Sequence, residues 1–137
     1  MEYVDKIFVY GNNKKRQQIT DQFDYLDHIG SAETLKSFDM INLGGYPAIY
    51  YNDENGYKVA GDLYSVSKSQ LKQLDQSKGE GEFFDRILEE VYIVRKTPRK
   101  NGKLVKAWVY ILQEIPPNYD YSSITLTTKN LLTYERI

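Results

Sequence analysis

A chain of 137 residues suits one compact domain, taken as residues 1–137, and its 41% hydrophobic content is ordinary for a soluble globular protein. A formal charge of −1 argues against a nucleic-acid partner held by phosphate neutralisation. With no cysteine and a single histidine, His28, the chain excludes disulfides, cysteine nucleophiles, thiolate metal sites and histidine metal clusters.

In chain order, residues 3–10 read as a strand. Ile7 and Val9 lie on one side, and Phe8 and Tyr10 on the other, a pattern for a central strand covered on both faces. The strand stops at Tyr10-Gly11-Asn12-Asn13. Glycine there would let a ligand approach backbone N–H groups, which can hold a carboxylate; the same residues also make an ordinary strand exit. Lys14-Lys15-Arg16 reads as a solvated basic face. Ile19, Phe23 and Leu26 recur at helical spacing and predict a short helix. Residues 29–36 and 38–43 predict two short strands. Tyr46–Tyr51 predicts another, with Pro47 near its start. Asn52-Asp53-Glu54-Asn55-Gly56 is a turn signal, and Tyr57–Val66 returns as a strand.

Ser67-Lys68-Ser69-Gln70 is a capping box that opens a helix carrying Leu71 and Leu74 and ending by Gly79. Lys78–Glu82 reads as a glycine-rich acidic loop, in which Glu80 or Glu82 is either a general base tuned by burial or a solvated carboxylate. Phe83 and Phe84 stand beside Glu82 as a source of desolvation. Phe84–Lys96 predicts a long strand, and Asn101-Gly102 is the strongest hairpin signal, joining it to Leu104–Leu112. Trp108 and Tyr110 alternate with Val109 as core or cleft packing, Tyr110 offering a hydroxyl inside. Pro116-Pro117 ends the regular pattern, and the last twenty residues fit either a strand or a short helix. His28 has no partner visible in the sequence. The thirteen tyrosines suit a barrel or cleft with a polar interior.

Few helices and many hairpins predict an α+β fold with a mixed, mostly antiparallel sheet, curled or closed into a barrel. No apolar run is long enough to span a membrane, and Met1–Lys6 lacks a signal-peptide pattern, so a cytoplasmic protein without a membrane partner is expected.

Several segments together resemble the γ-glutamylcyclotransferase-like (AIG2-like, BtrG-like) family. Tyr10-Gly11 resembles its opening V-Y-G-[ST]-L, and Leu43-Gly44-Gly45-Tyr46-Pro47-Ala48 its L-G-x-Y-P-G. Val59–Val66 is similar to V-x-G-E-L-Y-x-V, and Leu71–Asp75 to L-x-x-L-D. Phe84-Asp85-Arg86 is similar to Y-x-R, and Ala107-Trp108-Val109-Tyr110 to A-W-x-Y. The matches keep family order over about residues 6–112. The resemblance implies that the Tyr10–Asn13 turn binds the α-carboxylate of a small-molecule γ-glutamyl substrate, with Tyr110 lining the cavity. It implies an intramolecular cyclisation that releases 5-oxoproline, with no metal or organic cofactor. A glutamate removes a proton from the α-ammonium so that the free amine can attack.

Two segments depart from the family pattern. Asn12 and Asn13 stand where the family has serine or threonine and leucine. Lys78 stands where L-D-x-x-E-G has its glutamate, and a protonated lysine cannot be that base. Glu80 or Glu82 is then the expected substitute after a loop shift. The rival expectation is a non-catalytic relative that binds a small polar metabolite or a protein in the same cleft, which Lys78 favours.

Overall fold

A computed structural model describes residues 4–10, 27–43, 46–78, 80–81, 83–94, 102–117, 119–122 and 124–134. The strands are β1 (Val4–Tyr10), β2 (Asp27–Thr34), β3 (Phe38–Asn42), β4 (Pro47–Tyr51), β5 (Ala60–Ser67), β6 (Phe84–Ile93), β7 (Lys103–Leu112), β8 (Ile124–Leu126) and β9 (Leu132–Tyr134). One helix, α1 (Lys68–Lys78), lies among the described residues. Strands β1-β5-β2-β6-β7 form a closed barrel. Four of its pairings are antiparallel; β1 against β7 is parallel and closes it. The expected mixed, mostly antiparallel α+β barrel is thus observed. Closure leaves these five strands without an open edge. The predicted helix around Ile19–Leu26 lies outside the described residues.

Side-chain alternation divides the strands between two cores. Phe8, Ala32, Leu63, Val91, Ile93 and Val109 fill the barrel interior. On the outer face, Ile7, Tyr64, Val66, Tyr110 and Leu112 pack with Leu71 and Leu74 of α1. The β3–β4 hairpin serves both clusters, giving Met40 and Ile49 to the first and Ile41 and Ala48 to the second.

The capping box forms reciprocally. The Gln70 N–H donates to Ser67 Oγ at 3.2 Å, and the Ser67 N–H donates to Gln70 Oε1 at 2.8 Å. The Asn52 turn forms too, with its carbonyl accepting from the Gly56 N–H at 2.9 Å and its Oδ1 from the Asn55 N–H at 3.1 Å.

Three expectations need amendment. The strand predicted from Tyr57 joins the barrel only at Ala60. Before that, Tyr57 pairs with Phe38 and Val59 with Leu132, so this stretch changes partners twice. The strand predicted to Lys96 leaves the β6–β7 ladder at Ile93, opposite Lys103, and the hairpin expected between these two strands is observed. Asn101 lies outside the described residues. Gly102 is required for close approach: its N–H donates to Tyr92 Oη at 2.6 Å, and a Cβ there would overlap the Tyr92 ring. The ambiguous C-terminal stretch is the β8–β9 hairpin, which sends Leu132 and Tyr134 into the main core.

Candidate active site

Adjacent strands bring the ends of β1, β5 and β7 together. Tyr10 pairs with Gly61, and Ile7 lies opposite Trp108. The Tyr10 hydroxyl donates to the Tyr110 carbonyl at 2.6 Å. Burial pushes this phenol far up, and a backbone hydrogen bond with Ile49 pulls partly back. Tyr10 is therefore a neutral brace between β1, β4 and β7, its hydroxyl already engaged by the protein.

On the outer face, Tyr110 and Arg86 sit opposite each other on β7 and β6. Both reach the C-terminal part of α1. The Tyr110 hydroxyl and Arg86 Nε each donate to Asp75 Oδ1 at 2.7 Å. The guanidinium compensates the carboxylate charge and lies over the Trp108 ring, 4.3 Å from its centroid. Burial pushes the Tyr110 phenol far up, its hydrogen bond to Asp75 and the Asp75 charge push the same way, and Arg86 opposes them. Tyr110 stays a proton donor across the physiological range. Among the described residues, Asp75 Oδ2 has no hydrogen-bond partner, and the buried Trp108 Nε1 has none.

The helix ends beside this network. The Glu80 N–H donates to the Asp75 carbonyl at 3.0 Å, a six-to-one bond of Schellman type that makes Lys78 the C-cap. Gly81 follows at φ +90°, a conformation that glycine adopts without steric cost, and its N–H donates to the Phe84 carbonyl at 2.8 Å. The turn leaves Glu80 exposed, with Oε2 3.4 Å from the Arg86 amide. The Glu80 charge adds to the upward push on Tyr110, so carboxylate and phenol share one electrostatic environment.

Of the residues singled out in the sequence, Tyr10, Tyr110 and Glu80 fall within this region. Gly11, Asn12, Asn13 and Glu82 lie outside the described residues, as does the Lys78 side chain. The aromatic pair proposed to desolvate Glu82 is split: Phe84 is buried, whereas Phe83 is 64% exposed and offers little shielding. Asp75 and Arg86 carried no functional assignment from their sequence. Only the fold shows that they meet, eleven residues apart across the helix end and the start of β6.

A family model for γ-glutamyl cyclotransferase, AIG2-like proteins matches residues 7–128. The chain belongs to that family. It is 29% identical over 118 residues to a protein of Methanocaldococcus jannaschii provisionally named a γ-glutamylcyclotransferase, covering 83% of this chain and 87% of that one. Its fold matches an AIG2-like protein from Mus musculus with a TM-score of 0.69 at 22% identity, covering 98% and 97% of the two chains. It also matches a solved γ-glutamyl cyclotransferase with a TM-score of 0.64 at 20% identity, covering 86% and 69%. At these identities the solved structures speak for the fold alone.

Proposed function

We propose that this protein releases 5-oxoproline from a γ-glutamyl amine or isopeptide by intramolecular cyclisation. Backbone N–H groups of Tyr10, Gly11, Asn12 and Asn13 hold the α-carboxylate. Tyr110 lines the cavity with the hydroxyl that Asp75 fixes. Glu80 or Glu82 accepts a proton from the α-ammonium, and the freed amine attacks the γ-carbonyl carbon. Orientation of one end of the substrate against the other supplies most of the catalysis, since nucleophile and electrophile belong to the same molecule.

The observation that carries this reading is the turn after α1. It sets Glu80 Oε2 3.4 Å from the Arg86 amide, which supports a carboxylate as the base although position 78 holds lysine. Family membership supports the reaction class. A non-catalytic binding role is the second reading, and Lys78 favours it.

The test is 5-oxoproline release from a panel of γ-glutamyl compounds by wild type, Glu80→Gln, Glu82→Gln and Lys78→Glu. Loss of a positioned base costs roughly 10²–10⁴-fold in rate, and a loss of that size is expected in one of the two glutamine variants. An inactive wild type paired with an active Lys78→Glu variant identifies a binder on an enzyme fold. Wild-type rates in both glutamine variants refute the assignment of the base.

A further inference from the structure

One carboxylate of β6 stands where the strand pattern calls for an apolar side chain. Ile87, Val91 and Ile93 face the barrel interior, and alternation puts Glu89 on the same side. Its partner across the ladder, Ala107, belongs to that core. The Glu89 side chain is only 9% exposed. A buried carboxylate needs polar partners, and Tyr51 Oη and Lys36 Nζ each donate to its Oε1 at 3.1 Å. Burial, and after it the hydrogen bond to Glu89, push the Tyr51 phenol up, so it remains a donor at neutral pH. Oε2 has no hydrogen-bond partner among the described residues.

The backbone before Lys36 explains how a cation reaches this carboxylate. β2 pairs with β6 only from Ala32–Ile93 to Thr34–Val91. Thr34 then takes other partners. Its N–H donates to the Val59 carbonyl at 3.0 Å, and its Oγ1 accepts from the Val59 N–H and donates to the Lys36 carbonyl, both at 2.9 Å. Leu35 and Lys36 thereby leave the ladder. A cleft of about 280 Å³ opens there, lined by Leu35, Lys36, Leu88, Glu89, Glu90 and Lys106.

The lining joins apolar and charged surface. Leu35 is 37% exposed and Leu88 44%, so both offer apolar area to a ligand. The charged side chains are two lysines and two glutamates, so the cleft carries no net charge. A lone cation or a lone anion would meet only half of that set, whereas a zwitterion meets both signs. Lys36 and Glu89 supply the two signs side by side. Lys36 Nζ uses one N–H on Glu89 Oε1, and with its side chain 58% exposed it keeps others for a second acceptor. Glu89 Oε2 beside it accepts.

We propose that this cleft binds a free α-amino acid with an aliphatic side chain. The ammonium donates to Glu89 Oε2, the carboxylate accepts from Lys36 Nζ, and the aliphatic chain lies on Leu35 and Leu88. An α-amino acid carries its two charged groups on one carbon, and the complementary groups of the protein stand 3.1 Å apart. Tyr51 holds the carboxylate from its other side, so the acceptor is fixed before a ligand arrives. None of the six lining residues belongs to the Asp75–Tyr110–Arg86 network, and the inference does not rest on the cyclisation reading.

The experiment follows amide chemical shifts of the isotope-labelled protein by NMR during titration with three probes. L-Norleucine carries both charged groups, n-pentylamine is the same molecule without the carboxylate, and hexanoate is the same molecule without the ammonium. Norleucine is expected to bind at millimolar concentration, to shift the amides of Leu35, Lys36 and Leu88–Glu90, and to bind about tenfold or more tighter than either analogue, the worth of one charged hydrogen bond. Glu89→Gln, which keeps an oxygen for Tyr51, is expected to weaken norleucine about tenfold and leave hexanoate unchanged. Lys36→Gln is expected to weaken norleucine to a similar extent and leave pentylamine unchanged. Circular dichroism confirms folding, and the exposed Lys36 keeps the test in force should Glu89→Gln not fold. No binding of norleucine, an analogue that binds as tightly, or shifts confined to other residues overturns the proposal.

Discussion

Trp108 shows how one side chain can be well packed and still incompletely satisfied. Its ring lies under the Arg86 guanidinium, yet its buried Nε1 has no acceptor among the described residues. A buried donor without a partner costs about 1–3 kcal/mol. Trp108→Phe removes that donor and keeps an aromatic face for Arg86. It also removes apolar volume, and the two effects oppose each other. The expected change in unfolding free energy is within about 1 kcal/mol by urea titration, against the roughly 3–5 kcal/mol usual for truncating a buried tryptophan to alanine. A loss in the upper range would mean that packing of the indole outweighs the unpaired N–H.

At the scale of elements, α1 shows most directly what the sequence could and could not reveal. Its start is set by four consecutive residues, and the reciprocal Ser67–Gln70 bonds follow from local chemistry. Ser67→Ala is expected to lower stability by about 1 kcal/mol, and Ser67→Asp to lower it by less, both read from the urea midpoint. Its end was harder to read. Glu80 approaches the site through the six-to-one bond to Asp75, whose value depends on Arg86 and Tyr110 arriving from other strands. His28 was less legible still. Nothing in Asp27-His28-Ile29-Gly30 shows that Ile29 is a bulge, because a bulge is defined by pairing with β5, more than thirty residues away. Alternation alone would have put the imidazole inside the barrel. Asn101-Gly102 signalled the β6–β7 hairpin, but not that the missing Cβ of Gly102 makes room for the Tyr92 ring. Strand existence and barrel closure were easier, since Ile7-Phe8-Val9-Tyr10 is apolar on both faces and both faces of β1 are in fact covered.

The whole molecule is laced by tyrosine hydroxyls. Tyr10 bonds to the Tyr110 carbonyl, Tyr50 to Asp39, Tyr51 to Glu89 and Tyr110 to Asp75, so phenols brace the barrel and the β3–β4 hairpin internally and tie that hairpin and the helix to the barrel. In each of the four, burial leads the upward push on the pKa, and in Tyr50, Tyr51 and Tyr110 a carboxylate partner adds to it; Tyr51 is pushed up to about 12. Unfolded tyrosines lose their protons near pH 10, while these four hold theirs in the folded state. The unfolded chain therefore binds fewer protons above that pH, and stability must fall as pH rises. The contribution is fully present below about pH 10 and is lost progressively as pH climbs through the folded values. Unfolding free energy measured from pH 8 to 11.5 is expected to be level at first and then decline, with a shallower decline in Tyr110→Phe. A flat profile to pH 11.5 would contradict the role of these phenols as buried donors.

The parallel seam between β1 and β7 also bears on how the chain reaches its folded state. The Tyr10–Tyr110 hydrogen bond spans one hundred residues of sequence. Three of the five barrel pairings, β1–β5, β5–β2 and β2–β6, can form while β7 is still missing from a growing chain. The cylinder cannot close until the ribosome has delivered Lys103–Leu112, so β1 waits with one edge unpaired through most of synthesis. Non-local closure carries a loop-entropy cost before its contacts repay it, which slows folding relative to helical domains of similar size. The contact that brings Tyr10 to Tyr110 at the candidate site is thus among the last the chain can make, and the site comes into being with the completed fold.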